Sequence, residues 1–297
     1  MNKFKIALIQ PSVKPYDVQN NLDSLAEKLE QLKNQNVRLA VLPEFFPTGN
    51  TLDPELLKVA IQTSEITKNW LLNQSQKLDM IISGSYLSLE EGDVYNKFVI
   101  QEPDGQTSAH LKTRCPAPES SSYRVSSESK HIVDTSIGKI GLIICIEMLY
   151  NEIIQADYTD CSLILITLAV PDMLSSLGKM MVKIPEALAK KNGVPVVLCS
   201  MGGAFQSNGS IFPLKIKLRG LYGGRSGIYL PSGSITDPLL PGKEDILVAD
   251  IPLGPKVEEP DLSVKIRAKI PIPMQILNLL FKRRGKKIYQ SNLKKWC

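Results

Sequence analysis

Three residues that could act together on an acyl group are expected at strand ends or in the adjacent loops of this sequence. Glu44 lies in RLAVLPEFFPTGN, Lys112 in HLKTRCPAPE and Cys145 in IGLIICIE. A carboxylate can take the proton of a thiol, a thiolate can attack a carbonyl carbon, and an ammonium group can stabilise the oxyanion that forms. Each residue alone is ordinary, because a single glutamate is usually a solvated loop residue and a single cysteine usually packs in a core. The hypothesis of acyl-group chemistry therefore rests on the three residues together.

The Cys145 thiol needs a base, because a thiol near its reference pKa of about 8.5 is mostly protonated at neutral pH. Histidine is the usual base, but His110 and His131 are the only two histidines and neither lies in a known cysteine–histidine signature. We expect both to make surface hydrogen bonds. A carboxylate can take the proton instead if burial raises its pKa, and prolines and aromatic residues surround Glu44 in the sequence.

The segments that carry these residues alternate between strand-like and helix-like patterns. Strands are predicted for KIALIQ, RLAVLP, MIISGSY, IGLIIC, SLILITL and VPVVLC, and IGLIIC is apolar on successive residues, as in a strand buried on both faces. Helices are predicted for LDSLAEKLEQL, for residues near 65–77, after Cys145 and for residues 174–192. Apolar strands that alternate with helices predict an α/β fold with helix-covered sheets. We predict one such domain over residues 1–255.

The composition limits the classes of protein to consider. The chain has 297 residues, of which 43% are hydrophobic, and no apolar run approaches the length of roughly 18 to 20 residues that a membrane helix needs. No signal-type segment opens the sequence, so we expect a cytoplasmic protein. The five cysteines include no CxxC pair, and two histidines offer little for a metal centre. Neither a disulfide framework nor a zinc site is therefore expected.

Residues 256–297 are predicted to form a basic C-terminal extension. Residues 262–297 contain ten Lys or Arg and no acid, which leaves 25 basic against 30 acidic residues in the rest of the chain. The segment PIPMQILNLLFKRRGKK combines apolar residues at helical spacing with cations that follow them. It could pack on another subunit of a homodimer or larger homo-oligomer, or lie peripherally on an anionic membrane surface. Nucleic acid is disfavoured, because no aromatic–basic reading surface accompanies the charge.

The segments also resemble, in order and character, the Glu-Lys-Cys motifs of the nitrilase superfamily, the carbon–nitrogen hydrolases. The resemblance covers most of residues 4–251 and includes KIALIQ, LPEFFPTG, the YN dipeptide before PDG, GKIGLIICIE and GGRSGIYLPSG. It implies a four-layer α-β-β-α sandwich. It also implies that Glu44 is the general base, Cys145 the nucleophile and Lys112 the group that stabilises the tetrahedral intermediate, with no metal and no organic cofactor.

Two further glutamates are candidates for substrate-binding or accessory roles. Glu119 follows Lys112 by seven residues, where many members of the superfamily have a second glutamate that positions the substrate or the lysine. Glu147 forms the Cys-x-Glu sequence with Cys145. This sequence occurs both in true nitrilases and in N-acyltransferases that acylate lipoproteins.

The resemblance favours a cysteine-dependent amidase that cleaves a non-peptide amide bond of a small molecule through a thioester. Met148 stands where nitrilases typically have a histidine, which favours amide over nitrile chemistry. The alternative within the same fold is an N-acyltransferase, in which an amine rather than water attacks the thioester. A non-catalytic binding scaffold is the alternative from another class, and the presence of all three residues disfavours it.

Overall fold

The computed structural model describes residues 3–172, 175–207, 218–234 and 237–296. Its strands are β1 (Lys3–Gln10), β2 (Leu39–Glu44), β3 (Ile81–Glu90), β4 (Asp93–Gln101), β5 (Thr107–Leu111), β6 (Ile132–Thr135), β7 (Gly138–Ile144), β8 (Leu163–Leu168), β9 (Val196–Ser200), β10 (Ala204–Ser207), β11 (Leu218–Leu221), β12 (Gly227–Leu230), β13 (Gly233–Ser234) and β14 (Asp245–Pro252). Its α-helices are α1 (Val18–Glu30), α2 (Glu55–Leu78), α3 (Asn151–Ile154), α4 (Ser175–Asn192) and α5 (Ile272–Trp296). Short 3₁₀ turns cover Ala117–Ser121 and Cys145–Leu149.

The described strands form two six-stranded sheets and a separate hairpin of β10 and β11. The first sheet has the order β14-β1-β2-β3-β4-β5, and the second has the order β13-β12-β9-β8-β7-β6. The centre of each sheet is parallel: β1, β2 and β3 in the first, and β7, β8 and β9 in the second. The outer strands pair antiparallel.

The two sheets pack face to face with helices outside, which confirms the predicted four-layer α-β-β-α sandwich. Leu8 and Val41 of the first sheet share one buried apolar cluster with Leu142, Ile166 and Leu198 of the second. The opposite face of the first sheet packs against α1 and α2, whereas α4 covers the second sheet. The parallel strands are apolar on both faces because each face is covered, as the runs of Val, Ile and Leu predict.

Three strand ends bring the reactive residues together. Strand β2 ends at Glu44, β5 ends one residue before Lys112, and β7 ends one residue before Cys145. Glu44 and Lys112 come from the first sheet and Cys145 from the second. The packing of the sheets therefore determines whether the three side chains can meet.

Two of the predicted helices need correction. The helix near residues 65–77 begins at Glu55, where the backbone N–H donates to the Asp53 carboxylate at 2.9 Å. The helix after Cys145 is instead a 3₁₀ turn followed by the four-residue α3, because Tyr150 between them has an extended backbone. The last predicted helix matches α4, and its first predicted residue, number 174, lies outside the described residues.

The C-terminal extension packs on its own chain. Ile266 and Ala268 are buried in the central cluster, and the Gln155 side chain donates to the Ile266 carbonyl oxygen at 2.9 Å. Helix α5 then lies across the turn Ala117–Ser121, where a Cβ on Gly285 would come 1.9 Å from the Ser120 hydroxyl oxygen. Gly285 thus permits a close helix approach that a larger residue would prevent. No helix within the described ranges has both the length and the apolar character needed to cross a bilayer.

Candidate active site

Glu44, Lys112 and Cys145 meet between the two sheets. The Lys112 ammonium lies 2.7 Å from Oε1 of Glu44, and both side chains are completely buried. Asn96 donates from Nδ2 to the same carboxylate oxygen at 2.8 Å, and the backbone N–H of Ala169 donates to the other at 3.1 Å. The Glu44 carboxylate is therefore held by three donors, as a buried charge requires.

Cys145 lies at the start of the 3₁₀ turn, directly after the buried strand β7. Its sulfur is close enough to Glu44 and Lys112 for both charges to act on the pKa of the thiol. Its φ of 51° lies in the left-handed region, where an L-residue with a Cβ is strained. The residue is 7% exposed. The strand therefore delivers the sulfur at a sharp turn, with the backbone N–H groups of the following turn next to it.

The pKa values of the three groups follow from burial and mutual charge. Burial raises the pKa of Glu44, and the Lys112 charge opposes this rise. Burial and the nearby Glu44 charge hold the pKa of the Cys145 thiol well above its ordinary value. Burial also disfavours the Lys112 charge, but Glu119 and Glu44 together hold its pKa well above the ordinary value. The Cys145 thiol is therefore protonated in the resting protein, and the Glu44 carboxylate, which is more basic than usual, can accept its proton.

Glu119 joins this group from the other side of Lys112. Its carboxylate lies 3.1 Å from the Lys112 ammonium, and the side chain is 7% exposed. The Tyr123 hydroxyl donates to the same carboxylate, and Asn50 approaches it from Nδ2 at 3.4 Å. Lys112 is thus fixed between two carboxylates, and its ammonium faces the aromatic rings of Phe45 and Tyr123 at 5.9 and 5.5 Å.

Glu147 is buried beside the site and connects the two strands that carry Lys112 and Cys145. Its carboxylate accepts the backbone N–H of Thr113 at 2.7 Å and that of Ile144 at 2.8 Å, one residue from Lys112 and Cys145 respectively. Nε2 of His110 lies 3.0 Å from the same carboxylate, and His110 is itself completely buried. These contacts leave Glu147 in a bracing position between β5 and β7 rather than beside the Cys145 sulfur.

The histidines therefore differ from their expected surface positions. His110 is buried and His131 partly buried, and their rings contact each other at a tilt of 40° with centroids 4.2 Å apart. With Glu147 they form a cluster whose donor atoms lie within 4.8 Å of one another. The Glu147 oxygens already accept the two backbone N–H groups and the Thr113 hydroxyl, at 2.7 Å, and Nδ1 of His131 contacts the Leu142 carbonyl oxygen at 3.1 Å. The cluster is thus satisfied as a hydrogen-bonded brace and does not fit a metal.

Replacing Glu147 with glutamine tests this brace. The hydrogen bonds and His110 lower the pKa of Glu147 to about 2 against the burial that raises it, so the ionised carboxylate stabilises the fold above the unfolded pKa of about 4.5. We expect Glu147→Gln to lose about 3 kcal/mol of unfolding free energy at pH 7. The loss should shrink as the pH falls from about 4.5 toward 2. Urea unfolding at several pH values measures it, and a loss that is the same at pH 7 and pH 3 would contradict the prediction.

The sequence analysis assigned no role to several residues that contact the candidate site. Asn50, Asn96 and Tyr123 make direct contacts to its carboxylates, and His110 braces it through Glu147. Asn96 could have been found from its position, since DVYNKFVIQ places this amide on the buried face of an alternating strand. The loop residues Asn50 and Tyr123 follow no periodic pattern that would have marked them.

A comparison with known proteins gives the family. The carbon–nitrogen hydrolase family model matches residues 5–255. The omega-amidase YafV of Yersinia enterocolitica is 33% identical over 106 residues, which are 35% of this chain and 39% of that protein. A nitrilase of Pyrococcus abyssi is 24% identical over 153 residues, 50% of this chain and 58% of that protein. The matches thus span less than two thirds of these curated relatives.

The fold has solved counterparts. An amidase of the nitrilase superfamily from Nesterenkonia AN1, solved in a mutant form, superposes with a TM-score of 0.69 at 18% identity and covers 84% of this chain and 92% of that chain. At this identity the likeness concerns the fold alone. The four-layer sandwich brings a glutamate, a lysine and a cysteine together, and the family model matches residues 5–255. The chain therefore belongs to the carbon–nitrogen hydrolase family.

Proposed function

We propose that this protein is a cysteine-dependent amidase that cleaves a non-peptide amide through a thioester on Cys145. The observation that carries the proposal is the convergence of Glu44, Lys112 and Cys145. The Lys112 ammonium lies 2.7 Å from the Glu44 carboxylate, and both charges act on the pKa of the Cys145 thiol. Family membership supports the reaction class, and the match to an omega-amidase supports amides as substrates.

In the first half of the proposed reaction, Glu44 takes the thiol proton as the sulfur attacks the amide carbon. The carbonyl π electrons move to oxygen, and the Lys112 charge and the backbone N–H groups after Cys145 stabilise that oxyanion. When the intermediate collapses, the carbon–nitrogen bond breaks and Glu44 returns its proton to the nitrogen. Ammonia or an amine leaves, and the acyl group remains on the sulfur as a thioester.

In the second half, a water molecule attacks the thioester while Glu44 takes one of its protons. The carbon–sulfur bond breaks, the carboxylic acid leaves and Glu44 returns the proton to the sulfur. The raised pKa of Glu44 suits this cycle, because a carboxylate that is more basic than usual accepts the proton more readily. Glu119 serves in this scheme by holding Lys112 and Tyr123 in place, and Glu147 by bracing the two strand ends.

Product analysis tests the proposal. The purified protein is incubated with a panel of small aliphatic amides, alone and with primary amines, and the carboxylic acid, ammonia and any new amide are measured. The amidase proposal is supported if the wild type forms carboxylic acid and ammonia in equal amounts and Cys145→Ala forms neither. A new amide formed in place of the acid would support acyl transfer, and no product from any amide in the panel would count against both.

We also propose how the chain is divided. Residues 1–255 form the carbon–nitrogen hydrolase domain. Residues 256–297 form an extension that is hydrogen-bonded to Lys190 of α4 and to Gln155 at the end of α3, and that ends in α5. The predicted homodimer or larger homo-oligomer stays a prediction, which the mass measured by light scattering tests.

The outer surface of α5 supports the predicted contact with a membrane surface. Its first two turns present four exposed apolar side chains on one helix face, which we call the apolar stripe: Ile272, Ile276, Leu279 and Leu280. Arg283 and Lys287 continue this face and are exposed. Apolar residues followed by cations, without an acid from residue 262 onward, match an anionic bilayer better than a second copy of the same basic helix.

Vesicle sedimentation tests this contact. We expect the protein to bind vesicles that contain phosphatidylserine, and Ile276→Ser/Leu279→Ser to lose at least about tenfold in binding because buried apolar area drives insertion. Ile66→Ser is the matched control, since Ile66 is also exposed but lies on α2. Equal binding of all three proteins would rule the stripe out as the membrane contact.

A further inference from the structure

A cavity of about 510 Å³ lies between the inward face of α5 and residues 115–125. Four buried side chains line it: Cys115, Ser120, Tyr123 and Tyr289. Val125 and Leu293 add apolar wall. Its size falls within the range of about 300 to 1,000 Å³ that is usual for small-molecule sites. Glu44, Lys112 and Cys145 are not among its lining residues.

The rim of this cavity is strongly basic. Arg124, Lys282, Lys286 and Lys294 line it, and Asp93 is the one acid among its lining residues. Asp93 is already engaged, since it pairs with Arg124 and accepts the Tyr289 hydroxyl at 2.9 Å. Among the described residues, the three lysines form no ion pair within 4.0 Å. Three ammonium charges therefore face this cavity without a protein counter-charge.

The spacing of the lysines makes this arrangement costly in the absence of an anion. Lys282 and Lys286 are four residues apart on α5, and like charges at this spacing destabilise a helix. The positive charge of Lys282 acts on Cys115, which lines the cavity. Burial raises the pKa of the Cys115 thiol to about 12, and the Lys282 charge is one of the groups that oppose this rise. A bound anion would relieve the repulsion between the lysines.

We propose that this cavity binds a phosphate monoester. A phosphate monoester carries about 1.5 to 2 negative charges at neutral pH and three strong acceptor oxygens, which match several ammonium donors better than a single carboxylate does. The buried tyrosines and Leu293 provide a surface for the organic group that the phosphate carries. The phosphate can belong to a soluble metabolite or to a lipid headgroup that reaches the cavity from the side of α5.

The position of the site links it to the candidate active site. Tyr123 lines the cavity and donates a hydrogen bond to Glu119, which in turn contacts Lys112. A ligand that contacts Tyr123 is therefore connected to the Lys112 ammonium through Glu119. This connection goes beyond the proposed amidase reaction, which does not require the cavity.

Titration calorimetry on the full-length protein tests the site with phenyl phosphate as the soluble probe. The cavity variant is Lys282→Gln/Lys286→Gln, and the matched control is Arg283→Gln/Lys287→Gln, which removes the same charge from the same turns of α5 outside the cavity. We expect the cavity variant to bind at least about tenfold more weakly than the wild type and the control to stay within about twofold. Thermal unfolding of each protein shows that α5 stays folded.

Vesicles that contain phosphatidic acid, whose headgroup is a phosphate monoester, identify the lipid source. If phenyl phosphate does not bind but these vesicles do, and the cavity variant loses more vesicle binding than the control variant, whose two cations lie on the proposed membrane face, the site takes a lipid phosphate. Equal weakening of both variants would overturn the proposal, because it would show general attraction to a basic helix. Absence of wild-type binding to both probes would also overturn it, whatever the outcome of the amidase assays.

Discussion

Cys145→Ala is expected to abolish amide hydrolysis, with a loss of at least about 1,000-fold in kcat, because no other group in the site can form the thioester. The fold should persist, since the sulfur is replaced by hydrogen at a buried position and the strand before it is unchanged. Hydrolysis measured with the best amide of the panel, together with thermal unfolding, checks both parts. Activity within about tenfold of the wild type would show that Cys145 is not the nucleophile.

Cys145→Gly separates the chemistry from the backbone strain. The φ of 51° at this position costs an L-residue about 1 to 2 kcal/mol, and glycine avoids this cost while its unfolded chain is more flexible. We expect the glycine variant to be as inactive as the alanine variant but about 1 kcal/mol more stable than it. Urea unfolding compares the two. A glycine variant less stable than the alanine variant would mean that the turn is not strained at Cys145.

Lys112→Met is expected to inactivate the protein and to destabilise it more than any other single change at the site. Removal of one partner of a buried ion pair costs about 3 to 5 kcal/mol, and here it leaves the Glu44 and Glu119 carboxylates without the cation between them. The oxyanion also loses its main stabilising charge, which is worth about 100-fold or more in rate. Urea unfolding and hydrolysis assays at pH 8 measure the two losses.

The pH dependence distinguishes charge repulsion from a simple packing defect in Lys112→Met. Loss of the lysine should raise the already elevated pKa of Glu44 further, because Lys112 is the charge that lowers it. A carboxyl group with a raised folded pKa binds its proton more tightly in the native state, so stability falls as the pH rises above the unfolded value of about 4.5. The variant should therefore regain stability at pH 5. The double variant Lys112→Met/Glu119→Gln should regain stability at pH 8 as well. A loss of unfolding free energy that is reduced neither by the lower pH nor by the second substitution would contradict this account.

Much of the sandwich follows from the sequence alone. Strands such as IGLIIC are apolar on successive residues, and this pattern is forced wherever both faces of a parallel sheet are covered. Glu44 and Cys145 could also be placed at strand ends, because β2 and β7 stop where their apolar runs stop. Strand β5, which ends before Lys112, reads TSAHL and has no apolar run that would predict it. The resemblance, and not the residue pattern, predicted that these strand ends face one another across two sheets. Strand order is a long-range property, so the periodicity of apolar residues does not reveal it.

The surroundings of the site were harder to predict for a physical reason. Glu147 and His110 contact each other inside the protein, and a buried polar pair of this kind looks in the sequence like two ordinary polar residues. Asn50 and Tyr123 lie in irregular segments, where contacts depend on the loop path. The inward face of α5 could not be predicted from the sequence either. Its contacts to the rest of the protein are made by Asn278, Gly285 and Tyr289, which do not form an apolar stripe.

The mass of the intact protein during turnover tests the central claim most directly. The protein is mixed with a reactive amide substrate, quenched with acid within the first turnovers, and digested to locate any added group. We predict an adduct equal in mass to the acyl group, located on the peptide that contains Cys145, absent from Cys145→Ala and removed by hydroxylamine, as a thioester is. Turnover of the amide with no adduct on that peptide, or with the acyl group on another residue, would contradict the claim that Glu44, Lys112 and Cys145 form one catalytic site.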